Sequence, residues 1–260
     1  MKQIEIEDLR HIATGAAILG AGGGGDPRIG RLMAEQAIKK HGPVRLITPD
    51  ELADDDLIIP SAMMGAPAVM LEKLPSGAEP EVSFRALERY LGKDAAAVLP
   101  IEAGGLNSCI PIYTAAVLGL PLLDADGMGR AFPELPMVSF SIGGVAATPM
   151  VVCDEKGNIA VIETIDNPWS EVLARTLTVA MGLAAMIAIY PLSGRQVKSL
   201  AIRGTISLAR DIGRTIAESN RSQSDPIDAL CTTTNGFRLF TGKIVDVNRD
   251  LTTGFVRGTA

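Results

Sequence analysis

Apolar residues recur at helical spacing over residues 6–19, with Leu9, Ile12, Ala13, Ala16 and Ile18 on the repeat and Gly20 as a natural stop, which predicts a first helix. Asp26 and Pro27 have the chemistry of an N-cap and first helical residue for a second helix that reaches Lys40 and ends at Gly42. The short apolar runs 44–47 and 57–59 predict buried strands on either side of the acidic DELADDD, a solvated loop or short helix. Gly65 and Pro67 are expected to open a short helix that includes Glu72, with Met63, Met64 and Met70 as core filler. An amphipathic helix over 80–91, a strand over 95–101, a helix over 110–118 and a strand over 120–123 follow. Residues 137–142 read as a strand, and 150–153 with 159–162, joined by DEKGN, as a hairpin. A long helix is expected from Asn167 and Pro168 past Ala188, then a polar helix or strand to Ile202 and an amphipathic helix over 207–219.

This alternation predicts an α/β fold in two parts. Residues 1–221 make a layered α/β ligand-binding or catalytic domain with a mainly parallel or mixed sheet. Residues 222–260 make a linker, with SQSDP and CTTTNG loop-like and Cys231 in it, and then the start of a β domain in which RLFTGKIVDV alternates as a strand. That β domain is expected to be truncated. Strands from Arg238 onward need partners for their edges, so they should dock on the α/β domain or a neighbouring chain, and a homo-oligomer is expected.

Composition narrows the function classes. With 47% hydrophobic and 21% charged residues in 260, the chain can bury a substantial core. A net charge of -6 gives no basic surface for phosphate backbones, which argues against nucleic acid as a partner. The three cysteines are far apart, with no CxxC pair, which argues against a disulfide framework or a structural zinc and fits a reducing cytoplasm. The acidic N-terminus lacks signal-peptide character, and the most apolar segment, 177–192, is shorter than the roughly 20 residues that a bilayer crossing needs. That segment reads as a buried helix, and no membrane association is expected.

Candidate chemistry concentrates in LPLLDADGMGRAFPELP, residues 120–136. Asp124 and Asp126 follow a short buried strand and point to one side if the extended conformation persists. Gly127 and Gly129 allow a sharp turn or close approach to a ligand, and Arg130 offers a rigid fork for a carboxylate or anion, with Glu134 beyond. The alternative is an Asp-Gly loop tied to Arg130 by a structural ion pair. A second strand-end loop, IEAGGLNSC, carries Glu102, Asn107, Ser108 and Cys109. One helix links the two strands, so they are expected to be parallel and near neighbours, with both loops opening on one crevice. Asn107 and Ser108 are equally suited to helix capping. Cys109 at a helix N-terminus could be an activated nucleophile, although no histidine near it in sequence could serve as base.

In GAGGGGDP, Gly20, Gly22 and Gly25 satisfy a dinucleotide-binding spacing, but a helix rather than a strand precedes them, which argues against NAD. Gly22, Gly23, Gly24, Gly25 and Asp26 instead leave amide groups to face a carbonyl or anion at a helix N-terminus, or else form a tight turn.

The strings LGAGGGGDP, GAPAV, EAGGLNS and LPLLDADGMGRAFPELP, in this order and spacing, resemble the S-methyl thiohydantoin desulfurase family, with its N-terminal α/β domain and the start of its C-terminal domain. The resemblance implies hydrolytic desulfurisation of an S-methyl thiohydantoin to a hydantoin, a small heterocyclic substrate, and hydantoinase or oxoprolinase subunits as partners. For that reaction Asp124, Asp126 and Glu102 are the candidate acid and base, with Arg130 orienting a carboxylate or stabilising developing charge. A divalent metal held by the same carboxylates is the competing arrangement. A non-catalytic ligand-binding or partner subunit is the alternative to an enzyme.

Overall fold

The computed structural model describes residues 2–21, 23–65, 69, 73, 75–250 and 257–259. The chain opens with β1 (Gln3–Ile4), α1 (Ile6–Gly20) and α2 (Pro27–His41). Asp26 caps α2 by accepting from Arg28 N, and Pro27 tolerates the first helical position because its missing N–H would have had no partner there. Then come β2 (Val44–Ile47), β3 (Leu57–Gly65), α3 (Glu79–Leu91), β4 (Ala97–Pro100), α4 (Ile110–Leu118), β5 (Leu122–Leu123) and β6 (Ala125–Asp126). They are followed by α5 (Ser139–Ile142), β7 (Met150–Cys153), β8 (Ile159–Ile162), α6 (Asn167–Ala180), β9 (Ala184–Ala188) and β10 (Leu192–Ser193). The last elements are α7 (Gly194–Leu200), β11 (Ile202–Arg203), α8 (Thr205–Ser222), α9 (Pro226–Thr234), β12 (Asn248–Asp250) and β13 (Arg257–Thr259).

One mixed sheet carries the fold, in the order β1-β2-β5-β4-β3-β9-β7-β8, with β10 also paired to β3. β2, β5, β4 and β3 are mutually parallel, and β9, β7 and β8 continue antiparallel. Helices cover both faces, as a parallel sheet requires. Ile12, Ala34, Phe84, Ile112 and Ala209 of α1, α2, α3, α4 and α8 pack on one face. Ala174 of α6 and Val197 of α7 pack on the other. This is the α/β architecture expected, with the parallel crossover between β4 and β5 made by α4.

Several local expectations are corrected. Met63 and Met64 belong to β3, which runs on to Gly65, and not to a following helix; Met70 and Glu72 lie outside the described residues. Residues 137–142 are not a strand. Val138 and Phe140 are both buried, which mimics strand alternation, but Ile142 N bonds Val138 O and Gly143 N bonds Ser139 O, closing a helical turn.

The helix expected past Ala188 stops at Ala180. Gly182 and Leu183 adopt positive φ, and the chain returns as β9, every residue of which is buried between β3 and β7. A continuous apolar run looks the same in a buried helix and a central strand. Asp225 caps a further helix, α9, so Cys231 sits on a helix and not in a linker. Residues 238–247 form no ladder and leave Leu239, Phe240, Ile244 and Val245 exposed, while β12 pairs with β13 and, among the described residues, neither pairs with a strand of the main sheet.

Two glycines bring α1 and α8 into backbone contact. A Cβ on Gly15 would lie 1.8 Å from Ala209 O, and one on Gly213 would lie 2.0 Å from His11 O. Neither α1 nor α8 can yield without disturbing the helices packed beside it. Gly15→Ala is therefore expected to destabilise the fold by about 1–3 kcal/mol, although alanine is the better helix former. Urea denaturation checks this, with an unchanged or raised midpoint as the contrary result.

Candidate functional site

The parallel register of β4 and β5, with Val98 opposite Leu122, puts the loops after both strands at the same sheet edge. Gly127 N donates to Ile101 O at 3.0 Å and laces the two loops together directly beside Asp126 and Glu102. Glu102 is 4% exposed and Asp126 is fully buried. Glu102 Oε1 accepts from Asn107 Nδ2 at 2.6 Å, and Oε2 accepts from Phe132 N at 2.8 Å. Asp126 accepts from Gly129 N with both oxygens, at 3.0 and 2.8 Å.

Burial pushes both carboxyls far up. Asp126 rises to about 7 because desolvation outweighs the backbone amides of Gly129, Met128 and Ala103, which favour its charge. Glu102 also rises to about 7, through desolvation first, opposed by Asn107 and Phe132 N and reinforced by the negative charge of Asp126. Two carboxyls that titrate near neutrality in one place can hold a proton donor beside a proton acceptor.

The two aspartates have separate tasks. Asp124 Oδ1 accepts from Ile206 N and Ser207 N, each at 3.0 Å, and Oδ2 accepts from Ser207 Oγ at 2.5 Å. It thereby caps α8 from another part of the chain, satisfying two of the amides that the first helical turn leaves without a partner. The role of α8 was missed from sequence. The sequence predicts an amphipathic helix over 207–219, but nothing in that string shows that Ile206 and Ser207 reach the DADGMGR loop.

Arg130 is exposed, and its Nη1 donates to Ala131 O; no ion pair of Arg130 with Asp124 or Asp126 is present among the described residues. The ion-pair alternative for this loop therefore finds no support. Glu134 is half-buried near the end of the same segment. No group of three or more His, Cys, Asp or Glu side chains among the described residues is arranged to hold a metal ion.

Asn107 does not cap a helix. Its amide accepts from Met63 N at 2.8 Å, donates to Met63 O at 3.0 Å and donates to Glu102, which fixes that carboxyl to the backbone of β3. Ser108 is fully buried with its Oγ unpartnered among the described residues. Cys109 is no activated nucleophile. It is buried beneath α2, 2.8 Å from the place a Cβ on Gly30 would take, and burial pushes its thiol up to about 12.

Gly22 lies outside the described residues. Gly24 and Gly25 pack backbone to backbone on the Glu102 loop. Leu106 N donates to Gly24 O at 2.8 Å, and a Cβ on Gly105 would fall 2.2 Å from Gly24 O. Gly24 itself has φ +72 and Gly104 O only 2.9 Å from a Cβ, so its small size serves this contact between loops. Gly23 is exposed and less confined, and the Asp26 carboxylate is spent on capping α2.

No curated protein matches the chain. An X-ray crystal structure of a protein from Chromobacterium violaceum, a Northeast Structural Genomics Consortium target, is similar with a TM-score of 0.79 and 26% sequence identity, over 89% of this chain and 65% of that one. This chain thus spans 65% of the length of that relative. The model of the S-Me-THD-like N-terminal domain matches residues 7–164, and that of the S-Me-THD-like C-terminal domain matches residues 165–260. β9 falls in the second match yet lies between β3 and β7 of the first, so both matched regions share one sheet. With family models matched from residue 7 to residue 260 on a fold shared with a solved relative, this chain belongs to the S-Me-THD-like family, the S-methyl thiohydantoin desulfurase family that its DADGMGR string resembles.

Proposed function

We propose that the chain carries the acid and base of an enzyme that hydrolyses the carbon–sulfur bond of an S-methyl thiohydantoin. Water adds to the ring carbon that bears the S-methyl group as an ionised carboxylate takes its proton. A carboxylic acid meanwhile protonates the ring nitrogen as its C=N bond is spent. The carbon–sulfur bond then breaks: the hydroxyl gives its proton back to that acid's carboxylate, the base hands its own proton to the departing sulfur, and methanethiol leaves a hydantoin carbonyl. Asp126 suits the base, because backbone amides, Gly129 N first, favour its charged form. Glu102 suits the acid, because the Asp126 charge disfavours its ionisation.

The observation that carries this reading is the buried Glu102 and Asp126 pair at the carboxyl ends of adjoining strands, in a chain of this family. Substrate reaches the pair only when the 127–132 segment lifts. Its Gly129 and Phe132 amides are held down by the carboxyls themselves. In this reading Arg130, exposed on that segment, offers its guanidinium to an acidic substituent on the ring.

The same closure favours one other reading, a non-catalytic partner subunit of a hydantoinase- or oxoprolinase-type assembly in which the carboxyls only secure the loops. Incubation with S-methyl thiohydantoins, thiohydantoins and hydantoins separates the two. Methanethiol released from the S-methyl compounds is the expected result; a panel with no thiol, sulfide or ring-opened product removes the enzyme reading.

A further inference from the structure

β8 is the last strand of the sheet among the described residues, and its ladder with β7 fixes which of its backbone groups remain free. Asp154 N donates to Asn158 O, so Asn158 faces β7, and by alternation Ala160 and Ile162 do as well. Ile159, Val161 and Glu163 therefore turn their N–H and C=O groups outward. Natural sheets blunt such edges with charge, proline, a bulge or brevity. The opposite edge, β1, is two residues long, whereas β8 presents an uncharged Ile-Ala-Val-Ile with Ile159 and Val161 each 44% exposed.

Val161 lies opposite Val151, which packs with α1, α2, α3 and α4, so the exposed side chains of β8 belong to that face. On the other face α6 presents Trp169, Val172, Leu173 and Val179 to the outside at helical spacing, while Ser170, Ala174 and Thr178 turn inward. An open edge flanked by apolar groups on both faces is a surface for another sheet edge with its own flanking layers.

We propose that β8 is the two-fold interface of a homodimer, paired antiparallel with β8 of a second copy. Charge selects the copy and its direction. The exposed charge at the start of the strand is Lys156, 72% exposed and 4.0 Å from a Glu155 that Lys73 holds more closely at 2.6 Å, while Asp154 is engaged by Asn158. The charges at its end are Glu163 and Asp166, both exposed; Glu163 accepts from Tyr90 Oη and Asp166 from Trp169 N, and neither meets a cation among the described residues. An antiparallel copy sets Lys156 beside the acidic end of its partner, twice over, whereas a parallel copy sets like beside like. The outward residues also restrict the register: Ile159 stands opposite Val161, or Val161 opposite itself. A stable interface covers about 800 Å² on each partner, more than a four-residue strand offers, and the α6 face adjoining the edge adds the remainder.

Sedimentation velocity on the whole chain at tens of micromolar tests this, together with amide exchange at Ile159, Val161 and Glu163. The wild type is expected to be a dimer with those amides slowed. Val161→Lys is expected to give a folded monomer in which they exchange at least tenfold faster, and Ile159→Lys serves as the second variant should the first not fold. A monomeric wild type, or a dimer that both lysine variants leave intact, overturns the proposal. So does slow exchange of the three amides in a monomer, because another segment would then cover the edge.

Discussion

Asp126→Asn and Glu102→Gln are each expected to lower methanethiol release by about 10²–10⁴-fold, the range for losing a positioned acid or base, while leaving the chain folded at neutral pH. The amides match the volume of the acids they replace and resemble their protonated forms, which burial already favours. The sign of the pH dependence follows from the same shifts. Both folded-state values lie above the ordinary carboxylate range, so the stability these groups contribute is complete below that range and is lost as pH rises through about 7. Across that window each group is expected to lower the unfolding free energy by about 1.4 kcal/mol per pH unit. Denaturation at pH 5 and pH 8 should therefore show the wild type weaker at pH 8, with a smaller difference in either variant. Equal stability of the wild type at both values would mean that the pair is not desolvated as described. Full turnover in either variant would leave that residue a loop fastener only.

The second large effect belongs to Asp124 and falls on stability. Asp124→Ala removes the acceptor for Ile206 N, Ser207 N and Ser207 Oγ at once and leaves the first turn of α8 uncapped. Charged hydrogen bonds are worth about 1.5–3 kcal/mol each in net terms, and a lost cap about 1 kcal/mol. The carboxylate is only partly buried and water replaces some of what is lost, so a cost of about 2–4 kcal/mol is expected. In a chain of this size that lowers the melting temperature by roughly 4–16 °C. Asp124→Asn keeps an acceptor for the two amides and should cost less than half as much. Thermal melts of both variants check the ordering. A loss of turnover in Asp124→Asn without a change in melting would move Asp124 from the helix cap into the chemistry.

Much of this architecture was legible in the chain because local rules agreed with the final structure. Asp26 and Pro27 start α2 as their chemistry dictates, and the DEKGN turn joins β7 and β8 at the positions that its alternation marks. The helix Ile110–Leu118 between two short apolar strands was enough to place Glu102 and Asp126 at one sheet edge. That conclusion needs only the handedness and brevity of crossover connections. Local rules failed where one pattern serves two structures. The run that holds β9 is apolar on every side, and only its place between β3 and β7 makes it a strand. The buried Val138 and Phe140 alternate like a strand on a helical turn.

Within the candidate site, the sequence by itself determined which residue types meet: acidic groups at two strand ends, glycines that let the loops approach, and an arginine beside them. Tertiary structure alone decided what each does. Two aspartates one residue apart share a local environment in sequence, yet Asp124 meets the N-terminus of α8, which lies about 80 positions further along. Asp126 turns instead into the space beside Glu102 and is left there without water. Arg130, which the sequence offered as their partner, faces outward because the 127–132 segment is pinned by its backbone amides and not by its charge. Desolvation depends on what a distant part of the chain places over a group. For that reason Asp124, Asp126 and Glu102 could be named as a set from sequence, while only the fold separates the helix cap from the two carboxyls that burial pushes up to about 7.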